Sequence, residues 1–293
     1  MTPLALTLVL AAAACHATWN LVAKKAGGGN NFVLVGSLLV CVLWMPVVVW
    51  VGVQEVVSWG VAEWLVLAVS AVLHVVYFRT LLHGYEVSDL TVVYPVARGS
   101  GPLLSSAGAV MVLGETISPV GAAGALSVVA GVFLIAGGPG LWRKAHEPEQ
   151  RKRVRRGLLW GALTGAFIAG YTVIDGYAVK IMLISPILVD YVGNVLRIPV
   201  MLPFVLRNRA GFTRAWRAQW RAALVVATLG PLSYVMVLYA VRMAPLSHVA
   251  PAREVSMLFA ALAGGTLLGE SDRWLRLVGA GAIAAGVVAL ALG

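Results

Sequence analysis

Eight ionisable side chains stand inside long apolar stretches of this chain: His16, Arg98, Asp175, Asp190, Arg197, His248, Arg253 and Glu254. A charge in such surroundings is expensive, so it is either paired or set facing a polar interior. An arginine there can hold a carboxylate or phosphonate through forked hydrogen bonds. A buried carboxylate can bind an amine or carry a proton. Arg98 lies between Tyr94-Pro95 and Gly99-Ser100-Gly101-Pro102, while Arg253 and Glu254 follow His248 and Pro251. Proline withholds a backbone donor and glycine lets the backbone bend. Both segments therefore predict a helix interrupted beside its arginine, the pattern of a midplane site in a secondary carrier. Two roles stay open for Arg98 and Arg253: lining a pathway, or pairing charges between helices.

Other polar residues fall into one-turn groupings. Asp190, Asn194 and Arg197 share a helical face at i, i+4 and i+7; the two charges are two turns apart, so they meet through Asn194 or find partners on other helices. Tyr171 and Asp175 are one turn apart, and His16 and Asn20 repeat that spacing beside Trp19. The expected substrate-binding set is thus Arg98, Arg253, Tyr94, Trp19, Asn20, Tyr171 and Asn194. Asp175, Asp190, Glu254, Arg197, His16 and His248 are the candidates for coupling or ion pairing. His74 and Arg79 carry less weight, since Arg79 can snorkel toward an interface. Glu115 and Glu270 each follow a glycine where a helix ends, which predicts capping of the hairpin that turns there. Arg98, Arg197 and Arg253 balance Asp175, Asp190 and Glu254, so an amphoteric cavity is expected, suited to a zwitterionic or anionic solute.

The elements that must position these residues are apolar helices. Hydrophobic residues make up 60% and charged residues 12% of the 293, too little polar surface for a chain dissolved in water. Ten spans are expected, at 3–23, 32–53, 61–82, 89–113, 117–138, 157–179, 185–206, 220–241, 246–268 and 274–292. The second five copy the first: adding 155 carries Lys25 to Lys180, Arg98 to Arg253, Gly114-Glu115 to Gly269-Glu270, and Gly124 and Gly131 to Gly279 and Gly286. The expected organisation is a first five-helix repeat at 1–138, a basic linker at 139–156 and a second repeat at 157–293. An odd number of spans per copy inverts the second copy relative to the first. Most lysines and arginines fall in connectors on one side, which the positive-inside rule makes cytoplasmic, together with the middle linker. Both termini then face outward. Apart from Arg276 at the start of span ten, spans five and ten carry no charge and repeat glycine every seven residues, a face for close helix packing within the chain or in a homodimer.

Several classes are excluded. Cys15 and Cys41 lack metal or disulfide spacing, and HExxH, GxGD, GxSxG and the nucleotide-binding GxxxxGK[ST] are absent, so neither enzyme nor ATP-driven pump is expected. No cofactor and no metal are expected, and the basic charge is assigned to lipid headgroups rather than to nucleic acid.

The stretches HATWNLVAKKA, YPVARGSGPLLSSAGAVMVLGE, IAGYTVIDGYAVK and PAREVSMLFAALAGGTLLGE resemble EamA-type members of the drug/metabolite transporter superfamily, along essentially the whole chain. A weaker similarity is to a subgroup of phosphonate-utilisation-associated membrane proteins. The resemblance implies a prokaryotic inner-membrane carrier of small metabolites, working by alternating access and often outward. It also implies a cavity formed by spans one to four and six to nine, with five and ten peripheral. Many relatives keep both termini in the cytoplasm, unlike the arrangement expected here. Export of an amino acid or similar metabolite is the leading expectation; a lipid-linked substrate flippase, a multidrug efflux carrier and a non-transporting sensor or assembly factor are the alternatives.

Overall fold

A computed structural model describes residues 1–27, 29–135, 148–207, 209–264 and 273–293. Glu270, Gly138 and the first part of the basic linker lie outside the described residues. Every regular element among the described residues is an α-helix: α1 Pro3–Lys25, α2 Asn30–Val57, α3 Val61–Val87, α4 Leu90–Leu113, α5 Pro119–Ile135, α6 Pro148–Lys180, α7 Pro186–Leu206, α8 Arg209–Met243, α9 Leu246–Ala252, α10 Val255–Gly264 and α11 Arg273–Leu292. Six of them, α1 to α4, α6 and α8, are long and apolar enough to cross a membrane. Large apolar side chains such as Trp50, Met111, Leu126 and Leu159 point outward, an arrangement that hydrocarbon tolerates and water does not.

Two helices begin earlier than their expected spans. α6 starts at Pro148, so residues 148–156 form helix rather than an irregular linker. Proline suits a first turn, Lys152 pairs with Glu149 at 2.8 Å, and Arg153 reaches Asp89 at 3.0 Å. α8 similarly takes in the basic run from Arg209. An α-helix bonds its own backbone, so it continues past the apolar stretch for as long as its side chains favour it.

The helices pack in reciprocal pairs. α1 lies on α8 as α6 lies on α3; α2 meets α7, and α4 meets α9. The glycine faces of α5 and α11 meet each other within the chain. A Cβ placed on Gly124 would lie 2.8 Å from the carbonyl oxygen of Gly286, and one on Gly279 would lie 2.7 Å from that of Gly131. Those faces are therefore used inside one molecule, and a homodimer through this helix pair would have to use other faces.

Gly114 ends α4 in the left-handed region, at φ 66°, where glycine alone avoids a Cβ clash. The chain turns there and delivers Glu115 to a site the sequence does not indicate. Its carboxylate accepts the backbone N–H groups of Leu246 (2.7 Å) and Ser247 (2.9 Å) and pairs with Lys180 at 2.6 Å. The expected cap on its own hairpin is instead a cap on α9, in the other half of the chain. Burial alone would raise the Glu115 pKa, but the Lys180 bond and the two N–H donors outweigh it and hold the carboxyl below its ordinary value.

Candidate functional site

Pro251 explains the local geometry of the site. Having no N–H, it leaves the carbonyl of Ser247 without its helical partner, and Ser106 of α4 donates to that oxygen at 2.9 Å. Arg253 and Glu254 then fall in the turn between α9 and α10, where backbone bonds tighten to i→i−3: Glu254 to Pro251 at 3.0 Å and Ser256 to Arg253 at 3.1 Å. The matching interruption expected around Arg98 is not present. α4 is continuous through Pro95 and Pro102, held by close packing on α6, where Gly161 admits Val96 and Gly165 admits Ser100.

The break separates two neighbours. Glu254 pairs with Arg98 Nε at 3.0 Å, and Arg98 also donates to Ser256 Oγ at 2.9 Å. Glu254 is buried and Arg98 nearly so, at 4% and 14% side-chain exposure. Arg253 lies over the ring of Tyr234, 5.9 Å from its centre, and makes no hydrogen bond or ion pair among the described residues. Arg98 and Arg253 both line one small, partly open cavity of about 20 Å³ with His16, Ser233, Tyr234 and Ser256. A second, smaller cavity of about 10 Å³ shares Arg253 and Tyr234 and extends along α9 to Leu246.

Beside these cavities is a buried polar knot. Asp175 accepts the Ser70 hydroxyl at 2.5 Å and the hydroxyl of Tyr234. His74 stacks on Tyr171 with ring centres 3.8 Å apart, and its Nδ1 lies 2.9 Å from the carbonyl of Ser70. On α7, Asn194 donates to the Asp190 carbonyl (2.9 Å) and carboxylate (3.2 Å). It makes no bond to Arg197 among the described residues, so the expected bridge stops at Asn194. Arg197 Nε is buried without a hydrogen-bond partner.

Of the residues expected at the site, Arg98, Arg253 and His16 reach the first cavity. Tyr94 stands 6.0 Å from the Arg98 guanidinium. Trp19 packs edge-on against His16, with its indole nitrogen buried and unpartnered. Asn20 spends its amide on the His16 carbonyl at 3.1 Å. His248 lies apart, at the start of α9, with Nδ1 3.0 Å from the Leu290 carbonyl. Tyr234, Ser233 and Ser256 are the cavity residues that the sequence reading missed. The signal for two of them was GPLSY, residues 230–234, a polar pair behind a glycine-proline step inside an apolar run.

Comparison with known proteins adds the decisive observation. Residues 155–292 match the EamA-like transporter family. That match spans the second half of the chain. The second half is thus similar to EamA-like transporters, and the apolar helices are those of a multi-pass membrane protein. The fold is shared more widely: a solved crystal structure titled only as a protein superposes with a TM-score of 0.70 at 15% identity, covering 98% of this chain and 96% of its own. No curated protein matches. The EamA-like match covers α6 to α11, which contribute Arg253, Glu254, Ser256, Ser233 and Tyr234, whereas Arg98 and His16 come from the unmatched half.

Proposed function

We propose that this chain is an EamA-like transporter, a ten-span secondary carrier of two inverted halves that moves a small anionic or zwitterionic metabolite by alternating access. The observation that carries the reading is the Arg253 guanidinium, set at a helix break inside a cavity and without an ion pair among the described residues. A partly buried cation without an ion pair is costly, and a bound anion offsets that cost. The reciprocal helix pairs support the inverted repeat, since shifting by 155 exchanges α1 on α8 with α6 on α3 and maps α4 against α9 onto itself. The basic starts of α6 and α8 support a cytoplasmic location for that end of the bundle, in the cell membrane of a prokaryote.

Thermal unfolding of the purified protein in detergent tests the reading, with panels of carboxylates, phosphonates, amino acids, sugars and lipophilic cations. A compound present at a hundred times its dissociation constant adds about 2.7 kcal/mol. Stabilisation confined to anionic and zwitterionic compounds, and absent in Arg253→Ala, is the expected result. Stabilisation by cations alone, or an undiminished anion response in Arg253→Ala, refutes it.

A further inference from the structure

We infer that the solute's anionic group and a proton on Asp175 bind cooperatively, with Tyr234 as the connecting residue, so that the carrier moves an anion and a proton in the same direction. The inference rests on the carrier reading above and deepens it.

Tyr234 is the one side chain that lines both cavities, faces Arg253 and donates its hydroxyl to Asp175. Asp175 itself is 1% exposed, and its two hydrogen-bond partners are hydroxyls, Ser70 from α3 and Tyr234 from α8. The other charged or titratable groups around it are His74 on α3, Tyr171 on its own helix, Asp190 and Arg197 on α7, and Arg253. Glu254, the carboxylate next to Arg253 in sequence, is already engaged by Arg98. Besides Glu254, Asp175 is the carboxylate whose charge Arg253 meets across the Tyr234 ring.

An anion arriving at Arg253 competes with that charge. Protonating Asp175 removes the competitor, and by reciprocity a bound anion strengthens proton binding at Asp175 by the same factor. A cationic solute would have the opposite linkage and exchange against protons. For an anion, a proton gradient directed into the cell drives uptake; efflux then requires the anion's own gradient. This departs from the export that the family resemblance implies.

The test is equilibrium binding of isethionate and of aspartate to purified protein, between about pH 6 and about pH 8, where neither probe changes charge appreciably. One proton taken up per anion makes Kd rise up to about tenfold per pH unit over the linked range. Asp175→Asn should bind the anion with a Kd that does not change with pH. Tyr234→Phe keeps the ring under Arg253 but removes the hydrogen bond to the carboxylate; it should keep the pH dependence and move its steep part to higher pH. Should Asp175→Asn fail to fold, Tyr234→Phe and wild type decide the matter. Binding that is independent of pH in wild type overturns the coupling and leaves the carrier reading intact. Binding of neither probe overturns the anion site and the coupling together.

Discussion

Arg253 and Glu254 are adjacent in the chain, yet removing each charge should move stability in opposite directions. At 3.0 Å and an effective dielectric constant of about 20, the attraction between Arg98 and Glu254 is about 5 kcal/mol. Their exposures of 14% and 4% leave little room for water to replace a lost partner. Glu254→Gln and Arg98→Met should each cost about 3–5 kcal/mol, because each strands a buried charge. The double variant strands neither, so the cycle should show a coupling of about 2–3 kcal/mol. Arg253→Met removes a cation that makes no ion pair among the described residues and leaves Asp175 its hydroxyl donors Ser70 and Tyr234, so it should leave stability unchanged or raise it while abolishing anion binding, as expected where a site keeps function at the expense of stability. The assay is unfolding of the five proteins in mixed micelles under increasing SDS, with the anion-binding measurement run alongside. Additivity of the two single variants within about 0.5 kcal/mol would refute the strut assigned to Arg98. An Arg253→Met loss as large as that of Arg98→Met would refute the unpaired anchor.

Four further outcomes follow from the packing. Gly131→Ala places a Cβ 2.5 Å from the Gly279 carbonyl oxygen and 2.9 Å from the Ile283 nitrogen, so it should cost about 1–3 kcal/mol in thermal unfolding. Gly281→Ala, with open space at its Cβ, should be neutral or stabilise by up to about 1 kcal/mol. Because the folded-state pKa of Glu115 is lowered, its contribution is present above the unfolded-state carboxylate pKa and lost as pH falls through the folded value; Glu115→Gln should unfold about 1–2 kcal/mol more easily at neutral pH and lose that part of the acid sensitivity. Ser106→Ala leaves the Ser247 carbonyl unbonded at the break in α9, and a melting curve should register a loss of about 1–3 kcal/mol.

The parts of this molecule that are legible in sequence depend on local rules. Apolar runs of about twenty residues locate the helices, and the seven-residue glycine spacing marks the faces on which α5 and α11 meet. Pro251 marks the broken helix. What was not legible depends on contacts between distant segments. Nothing near Glu254 in sequence points to Arg98, 156 positions earlier, and nothing near Glu115 points to the start of α9. Nor does anything near Lys180 point to Glu115, its ion-pair partner. The proline-flanked Arg98 segment looked as breakable as its copy, but glycines on α6 hold α4 straight. Tyr234 was passed over because tyrosine is ordinary in an apolar helix; its importance comes from its neighbours on two other helices.

The glycine seam between α5 and α11 bears on how such a molecule can move. Backbones this close have no compressible side chains between them, so the seam resists sliding and separation more than any contact built of leucines. If the two halves rock, displacement should grow with distance from that line, as a door's travel grows away from its hinge pin. Spin labels straddling α5 and α11 should hold one distance whatever solute is added, while labels on α2 and α8 should sample two.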